Sequence, residues 1–138
     1  MGRKDMGVVS FHLAQVLSGH GCFGKYLCKI ARKETTPMCH HCGGAEDTAQ
    51  HTLQMCPAFD GQRACLKAVI GNDLSLPAVV KSMTDSERSW IAMASFCEEV
   101  MAIKEEAERE REEDPTSQPM RRRRVGRRRL NHNRAIPP

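Results

Sequence analysis

Cys39, Cys42, His51 and Cys56 are the residues best suited to chemistry in this chain, and the chemistry is metal ligation. They stand in the order C-x2-C-x8-H-x4-C within CHHCGGAEDTAQHTLQMC. Two cysteines separated by two residues can approach one ion from a tight turn, and Gly43-Gly44 supplies the backbone freedom that turn needs. A thiolate–imidazole set suits zinc better than magnesium or calcium. Four protein ligands leave no open position, so the expected Zn2+ is single and structural. A hydrolase would need an open coordination position and a base such as Glu46; the closed set argues against an enzyme. His40 and His41 lie inside the turn, where a ring has difficulty reaching back, which leaves His51 as the nitrogen ligand. Binding free energy of roughly 10–16 kcal/mol at such sites is in effect folding free energy.

Other cysteines fit simpler roles. Cys65 and Cys97 fall within helical apolar patterns and are expected in the core. Cys22 and Cys28 could pair with His20 in a second site, although their separation suits helix packing equally well. Seven cysteines without a secretory leader argue for reduced thiols or ligands, hence an intracellular chain. Met6 stands where a myristoylation signal would need Ser or Thr. No apolar run reaches 18 residues, so no transmembrane helix and no membrane partner are expected.

Anion binding is the second chemistry. The net charge of +4 hides a polarity: eight arginines and no acidic residue follow Pro115, leaving residues 1–114 at −4. Arg121, Arg122, Arg123, Arg124, Arg127, Arg128 and Arg129 are the candidate nucleic-acid contacts. Guanidinium groups match phosphate in bidentate geometry and stay charged at all relevant pH. If four to eight phosphates of a single strand are neutralised, log K falls with log salt with a slope of roughly −3 to −6. The same run reads as a nuclear localisation signal, so nuclear residence is expected.

The elements that must position these groups are helical. Val9, Leu13, Val16 and Leu17 predict a helix near residues 8–17, and Phe23, Tyr26, Leu27 and Ile30 one face of a second over 22–31, weakened by Gly24. Asp47 is expected to cap a short helix carrying His51, and Asp60 a helix to Ile70 ending at Gly71-Asn72. Residues 74–83 read as a short segment with one helical turn after Pro77. Thr84-Asp85-Ser86-Glu87 matches a capping box opening a helix with Trp90, Ile91, Ala94, Cys97, Val100 and Met101 as its apolar stripe. Beyond Ile103 the stripe gives way to KEEAERERE, with Lys104–Glu108 and Glu105–Arg109 as solvated i,i+4 pairs of about 0.2–0.5 kcal/mol each. Asp114-Pro115 ends it. With six aromatic residues in 138, the core is small. The fold class is therefore mostly α: an N-terminal helical pair (1–33), a CCHC zinc knuckle (34–59), a helical region ending in a charged helix (60–114) and a disordered Arg-rich tail (115–138).

LSGHGCFGKYL (17–27), the block CHHCGGAEDTAQHTLQMCPAF (39–59) and Arg63 resemble the C-terminal region of arthropod non-LTR (LINE-like) retrotransposon polyproteins. DLSLPAVV (73–80) and FCEEVM (96–101) extend the resemblance more weakly toward the class that inserts at specific genomic sites. The resemblance implies a zinc module that binds element RNA or target DNA, with Cys39, Cys42, His51 and Cys56 as its ligands. It also implies an endonuclease and a reverse transcriptase upstream in the parent, neither of whose catalytic constellations is present here; the chain carries one tyrosine and no Tyr-x-Asp-Asp. The alternative is a protein-interaction module docking on other parts of the polyprotein through the apolar face of residues 90–103. No small-molecule substrate is expected.

Overall fold

The computed structural model describes residues 11–121, which are mostly α-helical and contain no strand. Helix α1 is described over residues 11–18, followed by α2 (Gly24–Lys29), α3 (Ala49–Gln54), a 3-10 turn (Pro57–Phe59), α4 (Asp60–Ile70), α5 (Leu76–Asp85) and α6 (Glu87–Glu113). The expected start of α1 and Arg122, Arg123, Arg124, Arg127, Arg128 and Arg129 lie outside the described residues.

The 27-residue α6 is the spine, and α4 and α5 pack along it. Its inner stripe runs through Met93, Ala94, Phe96, Cys97, Val100 and Met101, all buried, against Leu66 of α4 and Val79 and Met83 of α5. Most of the apolar face of residues 90–103 is thus covered by the chain itself; Ile91 and Ile103 stay exposed. Leu13 and Val16 of α1 and Phe23 at the start of α2 join the same core.

Several expected boundaries move. The helix after Leu74 is ten residues long and not a single turn, with Pro77 in its first turn, where a missing N–H costs nothing. Because α5 runs through Asp85, Thr84 lies inside it, its hydroxyl bonded to the Lys81 carbonyl at 2.9 Å. The cap of α6 is Ser86, extended at φ −149°, whose oxygen accepts from the Ser89 N–H. Asp60 is the first residue of α4 rather than its cap, while Gly71 closes that helix at φ +106°, as its type suggests. Ile30 falls beyond the end of α2 and is exposed, not on its inner face. Cys65, expected in the core, sits on the outer side of α4; Cys97 is fully buried.

The largest departure is at the end of α6. Lys104 and Glu108 are buried, and their expected i,i+4 pairing is absent. Lys104 turns to Asp47, and Glu108 takes Arg111 and Arg121. Glu105 reaches back to His12, and Arg109 pairs with Glu106. The helix continues to Glu113 because its inner face stays packed, with polar partners replacing apolar ones.

Candidate metal centre

The loop between α2 and α3 delivers the first two ligands. Its turn is closed by the Gly43 N–H to the Cys39 carbonyl at 2.8 Å and the Cys39 N–H to the Gly44 carbonyl at 2.9 Å. Gly43 sits at φ +79°, a conformation that side chains rarely adopt, so the glycine expected at this turn is required there. The Gly44 N–H points at the Cys42 sulfur at 3.4 Å. Helix α3 then presents His51 from its middle, and the chain leaves it at Cys56, whose N–H returns to the His51 carbonyl at 2.7 Å.

These segments converge on one point. The ligand atoms of Cys39, Cys42, His51 and Cys56 all lie within 4.8 Å of one another, the only such group among the described residues. A tetrahedral ion about 2.3 Å from sulfur and about 2.0–2.1 Å from nitrogen sets S–S edges near ~3.8 Å and S–N edges near ~3.5 Å. The Cys39–Cys56 sulfurs are 3.9 Å apart, and Cys42 Sγ lies 3.3 Å from His51 Nε2. The residues present therefore fit a metal ion: the cluster is a Cys3His set positioned to hold one. Among the described residues Cys22 and Cys28 join no second group, and neither His40 nor His41 enters the first. His41 instead packs against Phe59, ring centroids 5.3 Å apart and planes tilted by 52°, and His40 pairs with Glu34.

Electrostatics differ from one residue of the cluster to the next. Cys39 and Cys56 are fully buried. Burial foremost, reinforced by the charge of Cys39 and by hydrogen bonds from the neighbouring thiols, pushes Cys56 up to about 12. Burial likewise raises Cys39. At Cys42 the slight burial raises, but the Gly44 N–H and the other two cysteines outweigh it and the thiol falls below its ordinary value. Burial lowers His51, assisted by Lys104 and Arg63 against the opposing pull of Asp47, which keeps the ring in its neutral, ligating form. Buried thiols that hold their protons this firmly become thiolates when a cation takes the protons' place.

Two buried cations clamp the loop to the helical body. Asp47, expected to cap α3, does not; Thr48 does, accepting from the His51 N–H at 3.0 Å. Asp47 is buried and receives the Lys104 ammonium on both carboxylate oxygens at 2.8 and 2.9 Å. The same carboxylate accepts the Gly24 N–H at 3.0 Å and the Thr52 hydroxyl at 3.2 Å. Lys104 Nζ also lies 5.5 Å from the centre of Phe23 and 5.6 Å from that of Phe59, within cation–π range. At the far end of α3, the buried Arg63 donates to the carbonyls of Leu53, Thr52 and Cys56 at 2.8–3.0 Å, satisfying groups that the helix end leaves open. Gly24 makes the approach possible: a Cβ there would meet the Met38 and Pro37 carbonyl oxygens at 2.5 and 2.8 Å.

Sequence reasoning missed Lys104 and the role of Asp47. A signal existed, because Cys97, Val100, Met101, Lys104 and Glu108 continue one helical stripe. Among the expected arginine contacts, Arg121 is described and is buried, its guanidinium held by Glu34 and Glu108. Glu34 is thereby shared between Arg121 and His40, which ties the start of the arginine run to the metal loop.

No family model, curated protein or solved structure matches this chain.

Proposed function

We propose that the chain is a nucleic-acid-binding module built on one structural zinc, from the C-terminal region of a non-LTR retrotransposon reverse transcriptase polyprotein. The observation that carries the metal half is the closed Cys3His cluster, with two edges near those of a tetrahedral zinc–thiolate–imidazole site. Four protein ligands leave no position for substrate or activated water, so the role is to hold the loop, and the module is not itself an enzyme. Nucleic-acid affinity comes from the arginine run, a guanidinium-dense segment that neutralises phosphates without regard to sequence. Arg121 serves as its anchor, held in the fold, and Arg122 to Arg129 supply the phosphate contacts. The order of the motifs around Leu17–Leu27 and Cys39–Phe59 supports the retroelement origin, and the arginine run supports nuclear residence. The rival docking role for residues 90–103 finds little free surface, since α4 and α5 cover most of that face.

The test is fluorescence anisotropy of labelled single-stranded RNA and DNA against the zinc-loaded chain over a salt titration. Binding with a log–log salt slope of roughly −3 to −6, lost when Arg122, Arg123, Arg124, Arg127, Arg128 and Arg129 become alanine, supports the reading. Absence of binding to either strand at low salt refutes it.

A further inference from the structure

We infer that Cys42 is an oxidation site, at which hydrogen peroxide joins Cys42 to Cys39 in a disulfide and releases the ion. The inference rests on the metal reading above and adds a redox chemistry to the same cluster.

The three sulfurs of the cluster differ in access. Cys39 and Cys56 are 0% exposed, so solvent does not reach them. Cys42 is exposed, and its neighbours leave its sulfur uncovered. A Cβ on Gly43 would meet open space, and one on Gly44 would stand 3.3 Å from Cys42 Sγ and 3.4 Å from His51 Cε1. Any other residue at position 44 would shield that flank of the sulfur; glycine leaves it bare. Oxidation of a cysteine follows thiolate character and exposure, and a metal-bound Cys42 has both.

A sulfur oxidised in this way forms a disulfide only if a second thiol stands beside it. Cys65, the other exposed cysteine, belongs to no group of ligand-type side chains among the described residues. The Cys42 sulfur, in contrast, lies within 4.8 Å of those of Cys39 and Cys56. Cys39 is its partner on the same turn, which the Gly43 N–H closes on the Cys39 carbonyl at 2.8 Å. Cys56 arrives from the far side of α3, with its carbonyl held by Arg63 at 2.8 Å.

The chemistry runs in two displacements. The Cys42 thiolate attacks one peroxide oxygen; an S–O bond forms, the O–O bond breaks and hydroxide leaves. The sulfur becomes a sulfenic acid and the peroxide is reduced. The Cys39 thiolate then attacks the Cys42 sulfur; an S–S bond forms, the S–O bond breaks and a second hydroxide leaves. Protons from solvent convert both hydroxides to water, and zinc stays divalent throughout. Only His51 and Cys56 then remain of a set that a structural site needs whole. The ion departs, and the loop loses binding free energy that is in effect folding free energy.

The experiment adds hydrogen peroxide to the full chain, loaded with zinc and desalted, and follows the freed ion with a chromophoric chelator. Remaining thiols are alkylated under denaturing conditions, and peptide mass mapping locates the bridged pair. Zinc release in step with a Cys39–Cys42 disulfide, reversed by dithiothreitol with added zinc, is the expected result. Cys65→Ser should release zinc at the wild-type rate. Cys42→His offers a Cys2His2 set without a thiolate at the exposed position and should release zinc roughly tenfold more slowly or less readily still. If that variant does not hold zinc, the wild-type map alone decides. A bridge between any other pair, or zinc release while Cys42 is still open to alkylation, would overturn the inference. Zinc that stays bound while Cys65 is already oxidised would overturn it too, and would leave the metal reading standing. A chain that takes up no zinc would sink both.

Discussion

Replacing Lys104 with methionine should destabilise the metal-loaded chain by about 3–5 kcal/mol, the usual result of removing one partner from a buried ion pair. The magnitude follows from what is left behind. Lys104 is 1% exposed, and among the described residues its ammonium is the one cation touching Asp47, which is itself 4% exposed. Without it the carboxylate keeps the Gly24 N–H and the Thr52 hydroxyl, two donors for a full buried charge. Methionine fills similar volume between Phe23 and Phe59, so the packing loss is small and the effect isolates the charge. Adding Asp47→Asn should recover a large part of the loss, because the double variant buries no unpaired charge; the coupling should reach about 2–3 kcal/mol, the upper range for residues in direct contact. Urea denaturation of the four proteins, each loaded with zinc, measures this through the midpoint at unchanged slope. A loss below about 1 kcal/mol for Lys104→Met, or additive single losses, would refute the claim that this pair clamps the metal loop to α6.

Other outcomes follow from the same geometry. Gly24→Ala should cost about 3 kcal/mol or more, since its Cβ would press on two backbone oxygens that cannot yield as a flexible side chain would; a midpoint within error of wild type would contradict this. Arg63→Met should cost about 2–4 kcal/mol by leaving buried carbonyls at the end of α3 without a donor, with weaker zinc retention against a chelator; a loss of stability without any change in retention would separate Arg63 from the site. His12 bridges Glu98 and Glu105 at 2.5 and 3.0 Å, and although its burial lowers its pKa, the two carboxylates outweigh that and raise it. A raised folded pKa contributes stability fully present below the unfolded value of about 6.5 and lost as pH rises through the folded value. The advantage of wild type over His12→Asn should thus be on the order of 1 kcal/mol at pH 5.5 and shrink above neutrality; an advantage that grows with pH would contradict the pairing.

The ligand set was legible because it depends on residue type and short spacing, and both survive folding unchanged: Cys39, Cys42, His51 and Cys56 meet where C-x2-C-x8-H-x4-C says they should. Helical periodicity also identified Ala94, Cys97, Val100 and Met101 on the inner stripe of α6, where period and residue type agree, but it counted the exposed Ile91 among them and passed over the buried Met93 and Phe96. At Lys104 they disagree, and residue type misled: a lysine in a Glu-rich run reads as solvated until the tertiary fold brings Asp47 to it from 57 residues away. The cap of α6 slipped by two residues for a similar reason. Thr84 and Ser86 both satisfy the local rule, and only the packing of Val79 and Met83 decides that α5 runs through Asp85. Gly24 read as a weakness in a helix because glycine's cost is local, whereas its benefit is a close approach to residues 37 and 38. Cys65 shows the converse, a residue of buried type that the helix turns outward.

The most direct test of the metal centre is X-ray absorption at the zinc edge, on the full chain loaded with one equivalent of zinc and desalted. Three sulfurs at about 2.3 Å and one nitrogen at about 2.0–2.1 Å, with one ion retained per chain, is the predicted result. A chain that loses its zinc on desalting, or a spectrum with two or fewer sulfurs and oxygen in their place, would contradict the assignment of Cys39, Cys42, His51 and Cys56 as a single closed site.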